Sequence, residues 1–239
     1  MKLSIIIPVY NEINTIDILL KRVLNTDLDN IEKEIIIIES GSTDGTHEYV
    51  KQLKNPKIKT IFEDKPIGKG HALKAGFRVA TGDIILIQDA DLEYDPKDYL
   101  ELLQPILENK THFVLGSRYL GKNTWKIRIL NKSVWYANLL NIGSLFINWL
   151  LYKLYHIKLT DPLTMFKVFK RKCIRGIKFI ADSFSLDMEI VIRLIKQGFL
   201  PLEVPVSYNA RTTEEGKKIK VFRDGFLMLA TIIKHKFVR

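Results

Sequence analysis

Short apolar runs alternate with amphipathic stretches through the first half of the chain, and no other feature of its 239 residues limits the fold as much. Leu3 to Ile7, Glu34 to Ile38, Ile58 to Phe62, Ile84 to Ile87 and Phe113 to Leu115 read as strands. Between them, Asn14 to Leu24, Asp44 to Leu53, Gly70 to Ala80 and Pro96 to Leu107 read as helices, with Asn14 and Asp95 placed to cap two of them. A series of this kind predicts an α/β fold with a mostly parallel, Rossmann-like sheet flanked by helices. Ligands in such sheets bind outside the carboxyl ends of the strands, so chemistry is sought just after each one.

Beyond Ser117 the regularity breaks. A basic connector from Arg118 to Lys132 leads to an uncharged stretch, then to a mixed segment from Asp161 to Ile180 and a helix from Leu186 to Lys196. A strand from Leu202 to Val206, a basic loop from Asn209 to Lys220 and a terminal amphipathic helix follow. With no repeat and no linker, the sequence predicts one continuous domain whose halves, 1–117 and 118–239, differ in charge. Up to Lys110 there are 14 basic and 19 acidic residues; beyond it there are 23 and 8, and the whole chain carries +10. The second half therefore wants an anionic partner.

The stretch from Ser133 to Tyr152 is uncharged for 20 residues, near the length of a spanning helix. Asn138, Asn141, Ser144 and Asn148 share one arc of it, of roughly 120° on a helical wheel. That stripe favours a helix buried on one side or lying in a membrane interface over one that spans. Trp135, Tyr136, Trp149 and Tyr152 suit either headgroup-level anchors or plain core. The N-terminal apolar run stops at Pro8, too short for the core of a secretory signal.

At 46% hydrophobic and 27% charged, the chain is not disordered or of low complexity. Its single cysteine, Cys173, excludes an internal disulfide framework and cysteine-rich zinc sites, and five scattered histidines argue against a metal cluster built on them. Neither the Walker spacing nor G-x-G-x-x-G occurs, which argues against a P-loop kinase and a dinucleotide dehydrogenase.

The strongest chemical signal follows the fourth strand: Gln88-Asp89-Ala90-Asp91-Leu92-Glu93. Two acids separated by one residue at a strand end can share Mg²⁺ or Mn²⁺ together with substrate phosphates. Two solvated turn acids are the competing reading. Pro8-Val9-Tyr10-Asn11-Glu12 after the first strand offers a rigid turn, a ring and a carboxylate for a nucleoside. After the second strand, Glu39 can accept from a base N–H, while Asp44 caps a helix.

These segments, with Ser42-Thr43-Asp44-Gly45-Thr46, Gly68-Lys69-Gly70 and Gly116-Ser117-Arg118-Tyr119 in the same order, resemble family 2 glycosyltransferases of the GT-A fold. Within them the chain resembles the polyprenyl-phosphate sugar synthases of the dolichyl-phosphate mannose synthase type. The resemblance implies that Pro8, Tyr10 and Glu12 line the nucleoside pocket, with Glu39 near the base and Lys69 at the nucleotide. It implies that Asp89 and Asp91, joined by Glu93, hold the metal on the nucleotide diphosphate. It also implies that Arg118 and Arg128 grip a lipid phosphate, and that Arg211 and Lys217 close over phosphates from the loop Arg211-Thr212-Thr213-Glu214-Glu215-Gly216-Lys217. With Asp91 and Arg118 they form the expected catalytic set.

The chain departs from that pattern twice. Glu39-Ser40 replaces a double Asp, which leaves UDP and GDP both open, and Met165 stands where Gly is usual in Asp161-Pro162-Leu163-Thr164-Met165-Phe166. Asp161 is expected to brace the acceptor region, and Asp187 to be structural, with the role of a base mainly if the acceptor is a hydroxyl. The activity so implied is an inverting, metal-dependent transfer of a hexose from a nucleotide sugar to a polyprenyl phosphate. Its place is peripheral on the cytoplasmic membrane face, with a separate membrane protein as a further partner and no nucleic acid. The alternatives are transfer to a hydroxyl of a cell-surface glycan or lipid, and a nucleotide-sugar-binding module without turnover. Related sequences often carry C-terminal membrane spans; none is expected before Arg239.

Overall fold

The computed structural model describes residues 1–121, 134–211 and 221–237, the side chains of 134–140 and 221–222 excepted. Its first half runs β1 (Lys2–Val9), α1 (Ile16–Asn25), β2 (Glu32–Glu39), α2 (Thr46–Lys51), β3 (Ile58–Phe62), α3 (Lys69–Val79), β4 (Ile84–Ile87), α4 (Tyr99–Leu107) and β5 (Phe113–Ser117). The rest runs α5 (Val134–Tyr155), β6 (Lys167–Lys170), α6 (Leu186–Lys196), β7 (Leu202–Pro205) and α7 (Val221–Phe237). The seven strands form one sheet in the order β3-β2-β1-β4-β6-β5-β7, and β6 alone among them runs antiparallel to its neighbours β4 and β5.

Both faces of this sheet are covered, which is why the centres of β1, β2 and β4 are continuous apolar runs. Leu3, Ile5 and Ile7 of β1 pack against Leu19, Leu20 and Val23 of α1 and Leu102, Leu103 and Ile106 of α4. Ile6, one residue out of step, faces Leu73 of α3 and Ile190, Val191 and Leu194 of α6. Gly76 lets α3 approach that closely, because a Cβ there would lie 2.5 Å from the Ile6 side chain. The opposite side of α6 presents Met188 and Ile192 to Ile147 and Leu151 of α5 and Ile232 of α7. Helices α5 and α7 thus form a further layer outside α6.

The expected elements of the first half are present with shifts at their ends. Asp95 caps as expected, its carboxylate accepting from the Lys97 N–H at 3.1 Å. Asn14 does not: α1 starts at Ile16, and the Glu12 carbonyl accepts the Thr15 and Ile16 N–H groups instead. β6 lies inside the segment read as mixed. Lys167 opens it, fully buried, and a lysine in a four-residue run disguises a strand whose partners, β4 and β5, are distant in sequence.

No helix among the described residues is long and apolar enough to cross a membrane. The polar arc of α5 faces the protein: Asn141 and Ser144 are buried, and Asn148 donates to the Thr160 carbonyl at 2.9 Å. Ile142, Leu145, Phe146, Trp149 and Tyr152 point outward, each 44–55% exposed.

Candidate active site

The turns after β1 and β2 hold one another. Asn11, at φ 50°, donates its N–H to Ser42 Oγ at 2.9 Å and accepts the Thr43 N–H on Oδ1 at 2.8 Å. Glu12 N–H donates to Thr46 Oγ1 at 2.9 Å, while Asp44 accepts from the Thr46 N–H and from the Ile13 N–H. This lattice fixes Pro8, Tyr10 and Glu12 along one wall of a cavity of about 600 Å³. Glu39 is not on that wall. It is fully buried, accepts the Ser42 N–H at 2.7 Å and shares a hydrogen bond with His47 Nδ1 at 2.6 Å. Burial opposes its charge, but the bonds from Ser42 and His47 hold the carboxyl below the usual range. In place of the expected base contact, Glu39 anchors the 40–46 turn, and its neighbour Ser40 borders the cavity.

Asp89 and Asp91 follow β4 on the cavity floor, with Leu92 at φ 62° reversing the chain after them. Lys69, opening α3, bonds Asp89 and reaches Met165 Sδ at 3.2 Å. Gly68 and Gly70 are needed for close approach: a Cβ on Gly68 would lie 2.3 Å from the Asp182 carbonyl and one on Gly70 2.7 Å from that of Ser183. Arg211 donates from Nη2 to Asp91 at 2.9 Å and from Nη1 to Glu12 at 3.1 Å. Burial, with the charges of Asp89 and Glu93 beside it, pushes the Asp91 carboxyl up to about 7.

Glu93, expected as a third metal ligand, is engaged elsewhere. It accepts the Tyr208 hydroxyl at 2.8 Å and the Arg211 N–H at 2.9 Å. Among the described residues no three His, Cys, Asp or Glu side chains converge as a metal cage. Two neighbouring carboxylates and an excess of negative charge nevertheless suit Mg²⁺ or Mn²⁺, which take one or two carboxylates and complete their shell with substrate phosphates and water.

Arg118 reaches the cavity from the end of β5, already paired. Its Nε and Nη2 donate to Asp161 at 2.7 and 2.8 Å, and its guanidinium lies over Tyr208, 4.9 Å from the ring centroid. Asp161 braces it and is itself fixed by Glu203, which accepts the Thr160 and Asp161 N–H groups at 2.7 Å. Arg128 and Lys217 lie outside the described residues.

Three contributions were not read as site residues from sequence. Tyr208 packs under Arg118 and holds Glu93, and no local motif marks it. Asp187, read as structural or as a base for a hydroxyl acceptor, forms cavity wall, 3% exposed. Phe146 of α5 and Phe226 of α7, 48% and 71% exposed, edge the cavity where it opens. The wheel opposite the asparagine stripe carries the signal for Phe146.

A family model, Glycosyl transferase family 2, matches residues 4–176. A dolichol-phosphate mannosyltransferase of Pyrococcus furiosus is 30% identical over 222 residues, covering 91% of this chain and 59% of that protein. The glycosyltransferase AglJ of Haloferax volcanii is 23% identical over 231 residues, covering 96% and 70%. Among solved structures, glucosyl-3-phosphoglycerate synthase from Mycobacterium tuberculosis with Mn²⁺, UDP and phosphoglyceric acid superposes at a TM-score of 0.73. It is 18% identical, with 100% of this chain and 79% of that chain covered. The same synthase with Mg²⁺ and UDP gives 0.69 at 18% identity, covering 100% and 80%. The chain thus spans less than two thirds of the P. furiosus protein, and its fold is GT-A.

Proposed function

The chain belongs to glycosyl transferase family 2, and we propose that it transfers a hexose, with inversion, from a nucleotide sugar to a polyprenyl phosphate while seated peripherally on the cytoplasmic face of a membrane. One observation carries this reading: the same cavity is lined by the charged Asp89, Asp91, Lys69 and Arg118 and by the exposed aromatic rings of Phe146 on α5 and Phe226 on α7. An acceptor with a phosphate head and a hydrocarbon tail fits a cavity that is charged at its floor and apolar at its mouth. The P. furiosus relative is named for a dolichol phosphate, and the M. tuberculosis synthase was crystallised with UDP and a divalent ion; both support the reading.

The chemistry follows from charge. The bond between the sugar carbon and the diphosphate oxygen breaks with its electron pair on the diphosphate, and a phosphate oxygen of the acceptor forms the new bond from the opposite side. That acceptor oxygen is ionised at neutral pH, so no protein base is required. Mg²⁺ or Mn²⁺ held by Asp89 and Asp91 would offset charge on the departing diphosphate. Lys69 and Arg211 bring further positive charge to the same floor, where they bond Asp89 and Asp91. Arg118, oriented by its two hydrogen bonds to Asp161, would offer its remaining guanidinium N–H groups to a phosphate. Lys217 and Arg128 belong to the proposal by sequence alone, as second phosphate-gripping cations. The half 1–117 supplies the nucleotide side of the site and the half 118–239 the acceptor side, with Arg211 reaching back to the donor diphosphate.

The outward face of α5 supports the membrane seat. It is apolar, α5 contains no acid, and the one acid of α7, Asp224, is buried. Lys153, Lys234 and Lys236 are exposed, a set suited to anionic lipid. Incubation with a panel of UDP- and GDP-sugars, Mg²⁺ or Mn²⁺, and undecaprenyl or dolichyl phosphate should yield a lipid-linked sugar. Transfer to a sugar hydroxyl, with no product on any lipid phosphate, would overturn the acceptor assignment.

A further inference from the structure

Asp187 stands in the first turn of α6, on the cavity wall and 3% exposed, yet its Oδ1 has no hydrogen-bond partner among the described residues. Lys167 Nζ is 4.0 Å away, beyond hydrogen-bond length, and donates to the Thr164 carbonyl instead. Lys167 is itself fully buried. Lys69 pairs with Asp89, and all three of Lys69, Asp89 and Asp187 line the same cavity. Asp187 therefore adjoins the diphosphate end of the cavity without belonging to it. A buried carboxylate oxygen left unmet is uncommon in native structures and calls for an explanation.

The missing partner has a definable chemistry. A carboxylate accepts and does not donate, so a phosphate oxygen would be repelled. A second ammonium is not needed, because Lys167 already supplies the countercharge nearby. A neutral O–H satisfies the oxygen at no electrostatic cost. In a nucleotide sugar whose diphosphate lies at Asp89 and Lys69, the group next along the molecule is the hexose, which carries such hydroxyls.

We propose that Asp187 Oδ1 accepts a hydrogen bond from one ring hydroxyl of the donor hexose and so selects which sugar the protein transfers, with Lys167 as the positioning residue that keeps the carboxylate in place. This rests on the nucleotide-sugar reading above. A buried group built to bond a substrate hydroxyl rejects an analogue lacking it by on the order of 10⁴-fold, because the protein group is then left unpaired.

The test uses the full chain with the hexose donor identified by the panel and its monodeoxy analogues. In the wild type, one deoxy position should lower kcat/KM by on the order of 10⁴-fold while the others cost far less. Two variants are compared: Asp187→Asn, and the double change Lys167→Met with Asp187→Leu, which replaces the buried pair by apolar side chains that a fold tolerates. In the double variant the parent donor should fall to within about tenfold of the critical deoxy donor, while calorimetry shows nucleoside diphosphate binding with Mn²⁺ unchanged. Equal deoxy penalties in wild type and variant would overturn the assignment, as would loss of kcat alone with donor discrimination intact, the signature of a general base. A wild-type chain that binds no nucleotide sugar would bring down the function proposed above together with this inference; one that turns over donors but fails the deoxy comparison would bring down this inference alone.

Discussion

Arg118 and Asp161 are 5% and 2% exposed and joined by two side-chain hydrogen bonds, so removing either leaves the other charged and buried. Arg118→Ala or Asp161→Asn should cost about 3–5 kcal/mol in urea unfolding, whatever it does to activity. An unchanged midpoint would mean that the pair is dispensable to the fold and leave Arg118 free for substrate alone. Glu34 of β2 shows the same economy. It accepts from Ser4 Oγ at 2.6 Å and the Thr81 N–H at 3.0 Å, and it pairs with Lys59. Burial pushes its carboxyl up, but the bonds from Lys59, Ser4 and Thr81 outweigh it and hold the pKa at about 2. A folded value below the unfolded one stabilises fully above the unfolded value of 4.5 and is lost as pH falls through about 2. Glu34→Gln should therefore lower stability at pH 7 by about 1–3 kcal/mol and flatten the acid limb between those values. A variant with the wild-type acid limb would remove Glu34 from that role. The acids of the floor were legible because Asp89-x-Asp91 directly follows a strand. The burial of Glu39 and Arg118 was not legible, since their partners His47, Ser42 and Asp161 are distant or turn residues whose contacts no sequence period encodes.

Helix α5 is built inside out for a helix meeting water, with amides toward the protein and Ile142, Leu145, Trp149 and Tyr152 away from it. Ring stacking of Phe146 and Trp149, 5.7 Å between centroids, makes the outward stripe continuous. Each of these side chains stands to gain on the order of 1 kcal/mol on entering a lipid interface. Changing Ile142, Leu145 and Trp149 to Ser, none of which lines the cavity, should thus weaken co-sedimentation with anionic vesicles by roughly 100-fold. Raised salt should weaken it further through the lysines. Vesicle binding equal to wild type would sink the membrane seat while leaving the glycosyltransferase fold untouched. The stripe was visible on the helical wheel, but its direction was not, because the side facing protein is chosen by Thr160, α6 and α7. Strands and helices of the first half were readable for the opposite reason: each declares itself by a local apolar period. β6 did not, since a four-residue strand with lysine at both ends exists only through its pairing with β4 and β5.

Across the whole molecule, the cavity sits where the two chain halves meet, and the clamp between them is ionic. Arg211 and Tyr208 come from the second half; Glu12, Asp91 and Glu93, which they bond, come from the first. The basic surplus of the second half is therefore partly spent at the site, and Lys153, Lys234 and Lys236 of α5 and α7 carry a further part of it. Four acids, Glu12, Asp89, Asp91 and Glu93, against Arg211 and Lys69 leave the floor with negative charge to spare, and burial together with the charges of Asp89 and Glu93 raises the Asp91 carboxyl. A nucleoside diphosphate alone would add to that charge, and a divalent cation alone would lack most of its ligands. The two together should bind far better than either. Binding to the folded chain stabilises it by RT ln(1 + [L]/Kd), about 2.7 kcal/mol at a hundred times Kd. Thermal unfolding with UDP or GDP and Mn²⁺ should accordingly show a rise in Tm that neither component gives singly, larger for the nucleotide whose base the pocket accepts. Asp89→Asn and Asp91→Asn should fold and lose that rise. A nucleotide that stabilises equally without the cation, or equally in both variants, would mean that the two acids do not hold a metal and that Lys69 and Arg211 alone receive the diphosphate.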